Sequence, residues 1–294
     1  IEAFVHTFVN NTHLRAPMPA ANQPVRGVCQ DVLYRSRVLD VSEPAATPPP
    51  DAEGRFVSLV VINQDHYVCG EAAPGTYELT EDTVGTRFAY VLFRTFVDVT
   101  DPDDIVAAHA AQDAIGMSGG GRGPFDAPDW NTDQLDKARI AVSSVGELEW
   151  NSGDAFGRKE EVDPVAHFVG ALAGWGGQPP AMAVYEILSV ERNDGATPHV
   201  VTMRDVPVDA FWSITVYDEH GYLRANDLGV NSYNNFNAQP NADGSHTIHF
   251  GGCDDERVNC IPISPGWTYA VRLYGPRAEI LDRRWVAPVP EPVS

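Results

Sequence analysis

The chain has 294 residues, 43% of them hydrophobic and 10% aromatic, enough for real cores and incompatible with wholesale disorder. It carries 41 acidic against 20 basic residues, a formal net charge of −21. That balance excludes nucleic acid and anionic lipid as expected partners, because phosphate binding needs clustered Lys and Arg. No run approaches the roughly 18 apolar residues that span a bilayer, so no membrane insertion is expected.

Taken in order, the first 25 residues read as a helix tail, with Ile1, Val5 and Val9 at helical spacing, and then a Pro-broken loop. Asp31 to Val41 reads as a strand, and Thr47-Pro48-Pro49-Pro50 as an extended loop. Arg55–Ile62, Thr76–Leu79 after the turn Pro74-Gly75, and Arg87–Val97 are further strands, which together predict a β-sandwich. From residue 100 the texture changes. Thr100-Asp101-Pro102-Asp103-Asp104 has the cap, proline and acids of a helix start. The glycine-rich segment Gly116–Gly123 is expected to end that helix as a flexible loop, and two more helices begin near Thr132 and at Asp163-Pro164. Strand signals return after Ala183. Val184–Glu191 and His199–Met203 read as a hairpin about Asn193-Asp194-Gly195, and Phe211–Tyr217 as a strong strand. His246–Phe250, Trp267–Tyr274 and Arg284–Val286 follow, an order that suits a jelly roll or related sandwich. The expected organisation is mainly β with a helical connector: a β domain over residues 1–100, the connector over 101–180, and a second β domain over 181–294.

Cys253 and Cys260 bracket a short loop, and a disulfide stapling a hairpin is preferred there over a zinc or redox pair. That implies an oxidising, extracytoplasmic compartment. Gly116-Met117-Ser118-Gly119-Gly120 matches a serine nucleophile pattern by letters, but a helix precedes the serine where the elbow needs a strand. His246 and His249, three apart on a strand, face opposite ways and make poor co-ligands. No metal or cofactor motif is read.

What remains are polar residues around apolar strands. His13, Asp31, Tyr34 and His66 are the candidate catalytic groups, and Arg15, Arg55, Arg94, Trp212 and Arg272 the candidate ligand contacts. Against that stands a structural reading in which arginines clamp strands to carboxylates and Trp212 fills a core.

Ordered motifs run along nearly the whole chain: Gln64-Asp65-His66-Tyr67-Val68, Arg94-Thr95-Phe96-Val97-Asp98, Gly174-Trp175-Gly176-Gly177, Phe211-Trp212-Ser213, Gly251-Gly252-Cys253 and Arg272-Leu273-Tyr274. In these the chain resembles bacterial proteins that pair the domain of unknown function 1254 with the domain of unknown function 1214. The resemblance implies an immunoglobulin-like first domain, a jelly-roll-like second domain and export, and it implies no reaction. The family pattern Asn-x-Asp-Thr-x-Tyr is altered here to Cys29-Gln30-Asp31-Val32-Leu33-Tyr34. With Cys69 in the same predicted domain, that extra cysteine leaves a second disulfide open. The expected function is a non-catalytic protein that binds a small polar ligand or assembles with itself as a homo-oligomer. The rival is a hydrolase with an arginine-lined cleft in the N-terminal domain.

Overall fold

A computed structural model describes residues 11–21, 23, 26–47, 54–71, 77–125, 131–146, 152–255 and 257–293. The helix read over residues 1–9, the Pro48–Pro50 run and the Pro74-Gly75 turn lie outside the described residues. The protein is mostly β, with antiparallel sheets, few helices and a sandwich-like arrangement. By its contacts the chain divides into two compact units. The first contains Ile1–Pro17 and Val32–Pro179, the second Met18–Asp31 and Pro180–Ser294.

The first unit is built on one seven-stranded sheet. Its strands are β1 (Asn11–His13), β2 (Val32–Thr47), β3 (Val57–Asn63), β4 (Val68–Glu71), β5 (Tyr77–Leu79), β6 (Phe88–Phe96) and β7 (Ser118–Gly121). The order is β1-β2-β6-β3-β4, with β5 and β7 also pairing β2. Alternation along β6 sends Ala89, Val91 and Phe93 into a core with Leu39, Val41, Leu59 and Val61. Tyr90, Leu92 and Arg94 therefore occupy the opposite face, where register aligns Tyr34, Arg94 and Ser58 across three strands. Helices α1 (Glu81–Val84), α2 (Pro102–Asp113), α3 (Thr132–Gly146) and α4 (Pro164–Ala173) complete the unit. Asp101 and Asp163 cap α2 and α4 through their carboxylates, each followed by proline in the first turn.

The glycine run expected to be a flexible loop is instead strand β7, paired with β2. Glycine makes that pairing possible: at Gly119, where φ is +76°, a Cβ would sit 2.5 Å from the Pro44 carbonyl oxygen.

The second unit is a sandwich of two four-stranded sheets. One has the order β11-β10-β14-β8, from β8 (Ala183–Leu188), β10 (Val208–Tyr217), β11 (Ser232–Asn234) and β14 (Thr268–Pro276). The other has the order β13-β12-β9-β15, from β9 (His199–Met203), β12 (His246–Phe250), β13 (Cys260–Ile261) and β15 (Glu291–Pro292). Trp212, Ile214 and Val216 from β10 and Tyr269, Val271 and Leu273 from β14 meet Val201, Met203, Ile248 and Phe250 in the core. Short helix α5 (Ala278–Leu281) follows β14.

Three expectations are corrected here. β8 and β9 do not form a hairpin; β8 pairs β14 and β9 pairs β12, so the turn at Asn193-Asp194-Gly195 carries the chain from one sheet to the other. Arg284–Val286 is not a strand. The Cys253–Cys260 disulfide is present, but it closes a link between parallel strands β12 and β13 rather than a hairpin.

Candidate functional site

The outer face of the β11-β10-β14-β8 sheet is where polar chemistry concentrates. Period-two alternation places Ser213, Thr215 and Tyr217 of β10, and Arg272 and Tyr274 of β14, away from the sandwich core. Register sets Asn234, Ser213, Arg272 and Tyr185 in one row across the four strands. Residues 27–31, part of this same unit, lie against that row. Arg272 donates to Thr215 Oγ1 at 3.0 Å, to the Gly27 carbonyl at 2.6 Å and to the Tyr217 hydroxyl. The Tyr217 hydroxyl donates in turn to the Val28 carbonyl at 2.8 Å.

Beside this, Asp31 accepts hydrogen bonds from Asn234 Nδ2 at 2.9 Å, from the Cys29 thiol at 3.1 Å and from Ser232 Oγ at 3.4 Å. Asp31 and Arg272 are each only 4% exposed. Burial, aided by the Asp31 charge, pushes the Cys29 thiol up to about 12. It is therefore protonated at neutral pH and acts as a hydrogen-bond donor, not as a thiolate nucleophile. Ser213 Oγ, in the middle of the row and fully buried, has no hydrogen-bond partner among the described residues.

The first unit holds two separate polar groups. On the Arg94 face, the guanidinium donates to the Gly176 carbonyl and lies 5.9 Å over the Tyr34 ring. Gly176 N–H donates in turn to His66 Nε2 at 3.0 Å. His66 is buried, adopts φ +70° and packs its ring against Phe156, His167 and Trp175. Burial, then the neighbouring His167 ring, lowers its pKa to about 3, so the imidazole is neutral with Nε2 already engaged as an acceptor. The second group is half-exposed: His13 Nε2 lies 3.0 Å from Gln112 Oε1, while Arg15 pairs with Asp113, Nη2 to Oδ2 at 3.2 Å. Burial, with Arg35 and Arg15, lowers the His13 pKa. A cleft of about 10 Å³ lined by Ile62, Asn63, Phe88, Tyr90 and Phe125 has room for about one water molecule.

Among the residues singled out from sequence, then, Asp31 and Arg272 come together on one sheet face. Tyr34, His66 and Arg94 share another neighbourhood, and His13 and Arg15 a third. Arg55 clamps α2 to the sheet, bidentate on Asp104 at 2.6 and 3.0 Å and on the Phe96 carbonyl at 2.9 Å. Trp212 points into the sandwich core, its ring edge-on to His246. Cys29 and Cys69 are both thiols, not a second disulfide, and Cys69 donates to the Val61 carbonyl at 3.3 Å. Ser118 is exposed on β7, away from any strand-to-helix elbow. Sequence reasoning passed over Ser213, Tyr217, Ser232 and Asn234. The signal for the first two was available: polar Ser213, Thr215 and Tyr217 alternate with apolar Trp212, Ile214 and Val216.

The architecture is similar to two solved bacterial structures. The VPA0106 protein from Vibrio parahaemolyticus superposes with a TM-score of 0.66 at 18% identity, covering 91% of this chain and 90% of that one. A putative uncharacterized protein from Burkholderia cenocepacia gives 0.56 at 14% identity, covering 99% and 84%. At these identities the likeness speaks for fold alone. Residues 189–278 match the family described as "Protein of unknown function (DUF1214)", a span that runs from the end of β8 through β14 to the start of α5. None of the curated proteins compared with the chain matches it.

Proposed function

We propose that this protein is an extracytoplasmic, non-catalytic binder of a small polar ligand, and that its recognition surface is the outer face of the β10–β14 sheet beneath residues 27–31. The observation that carries this reading is the buried polar row Asn234–Ser213–Arg272, continued by half-buried Tyr185, on a face where a purely structural sheet would bury apolar side chains. The Cys253–Cys260 disulfide supports an oxidising compartment. The resemblance of the first unit's motifs to the domain of unknown function 1254, beside the 1214 match over residues 189–278, supports export of the whole chain.

Thermal denaturation with a panel of amino acids, sugars, nucleosides, polyols and organic acids tests the reading. A ligand present at 100 times its Kd stabilises the folded state by about 2.7 kcal/mol, so a saturable rise of several degrees in Tm is expected for at least one class. Ser213→Ala is expected to weaken that response. No shift from any class overturns the proposal. So does turnover of esters, amides or glycosides that is lost on replacing a single residue such as His13 or His66.

A further inference from the structure

Resting on that reading, we propose that the ligand is a small zwitterion, an α-amino acid or a short peptide terminus, with its carboxylate on Arg272 and its ammonium on Asp31. Both protein groups are buried, and both are charged side chains whose present partners are neutral. Arg272 reaches only a threonine hydroxyl, a tyrosine hydroxyl and a main-chain carbonyl, with no carboxylate within 4.0 Å among the described residues. Asp31 reaches only an amide, a thiol and a serine hydroxyl.

Buried charges are ordinarily paired, because neutral dipoles recover only part of the lost hydration. Nor do the neighbours cancel the guanidinium by ionising. Burial raises the Tyr217 hydroxyl and holds the Cys29 thiol near 12, so both are neutral at pH 7. The sheet thus holds a cation and an anion on one face with no direct contact, joined among the described residues only through the Thr215 and Ser232 hydroxyls, which lie 3.0 Å apart. Their complement is a molecule that carries the opposite charges at its two ends.

Spacing and donors agree. From Arg272 Nη1 the path to the Asp31 carboxylate runs over Thr215 Oγ1 and Ser232 Oγ in steps of 3.0, 3.0 and 3.4 Å, so three hydrogen-bond lengths separate the two charges at most. An α-amino acid with a hydrogen bond of about 2.9 Å at each end covers that span. Ser213 lies between Asn234, which holds Asp31, and Arg272, with its hydroxyl buried and without a partner, placed to donate to the ligand carboxylate. The ligand carboxylate replaces the Gly27 carbonyl on Arg272, and the ammonium replaces the Cys29 thiol on Asp31. Access is by lifting residues 27–29. That movement gives up the Gly27 N–H bond to the Gly221 carbonyl at 2.9 Å and the Tyr217 bond to the Val28 carbonyl, which the two charge pairs with the ligand replace.

Calorimetric titration of the full chain with glycine and alanine, and with N-acetylglycine and glycinamide, tests the assignment. N-acetylglycine keeps the carboxylate and loses the ammonium; glycinamide does the reverse. The parent amino acids are expected to bind at least tenfold more tightly than either derivative. Ser213→Ala is the variant of choice, because it deletes a hydroxyl that has no partner to lose and so keeps the fold. It should weaken amino-acid binding about tenfold. Arg272→Lys keeps the charge, loses the bidentate fork and should lower affinity further, with its folding checked by circular dichroism. Equal binding of parent and derivatives overturns the zwitterion. If only sugars or other neutral compounds bind, and bind less to Ser213→Ala, the zwitterion is overturned while the recognition surface stands. If nothing binds, both fall.

Discussion

At the residue scale, Asp40 shows how a single carboxylate organises its surroundings. Its side chain is 4% exposed and accepts from Arg87 Nη2 at 2.9 Å, Ser42 Oγ at 2.7 Å and Gly123 N at 3.1 Å. The Arg87 hydrogen bond, opposed by burial and reinforced by Ser42, holds its carboxyl well below the usual carboxylate range. A folded pKa depressed in this way stabilises the protein fully above the unfolded value of about 3.9, and the contribution fades as pH falls through the folded value. Asp40→Asn should therefore cost about 1–2 kcal/mol at pH 7, trimmed because Arg87 is half-exposed. The gap between variant and wild type should narrow at pH 3 and below. Urea denaturation at pH 7, 4 and 3 checks this, and a gap that is constant with pH would contradict it. Little of this was legible in the sequence. Asp40 and Arg87 are 47 residues apart, and no local pattern pairs them. The same holds for Asp31 and Asn234, separated by 203 residues.

At the scale of elements, the connection from β12 to β13 is the unusual one. The two strands are parallel, pairing His249 with Cys260 and Phe250 with Ile261, yet only Gly251 to Asn259 joins them. Parallel neighbours usually need a dozen or more residues to cross over. Gly251 and Gly252, both at positive φ, and Asn259 at φ +53° provide the tight path. Asn259 also ties the loop down, donating to the Gln239 and Thr247 carbonyls at 2.9 and 3.0 Å and accepting from Gln239 N at 2.8 Å. The Cys253–Cys260 bond closes a loop of seven residues' separation, which chain entropy values at about 2.5 kcal/mol. Replacing both cysteines with alanine should lower stability by roughly that amount, and reductant should shift wild type toward the variant while leaving the variant unmoved. A variant as stable as oxidised wild type would show that Asn259 and the glycines suffice. Sequence indicated the pair correctly but not the topology it serves, because spacing is the same for a hairpin and for a tight parallel link. Strands β6, β10 and β14, by contrast, were legible within three residues at either end, since their apolar and β-branched signal is strong and local.

At the scale of the whole molecule, two features were beyond local pattern. The second unit recruits residues 18–31, which sequence order would assign to the first. The strap contributes the Gly27 and Val28 carbonyls and Asp31 to a sheet whose strands begin at residue 183. Only three-dimensional register could reveal that. The charge, however, is read directly from composition, and it sets two effects against each other. Arg15, Arg55, Arg87, Arg204, Arg277 and Arg284 are each engaged by an aspartate. Salt weakens such pairs, but exposed ones contribute at most about 1 kcal/mol each. The chain as a whole has a net charge of −21, and the mutual repulsion of its surplus acids opposes the compact state. At about 10 mM salt the screening length is near 30 Å, comparable with a domain, so these acids all repel one another; at 1 M it is near 3 Å and only direct neighbours interact. Repulsion summed over so many sites outweighs a handful of surface pairs. Melting temperature should therefore rise with sodium chloride between 10 mM and 0.5 M and be steepest at the low end. A falling Tm would mean that the arginine–aspartate pairs, and not the surplus acids, govern stability.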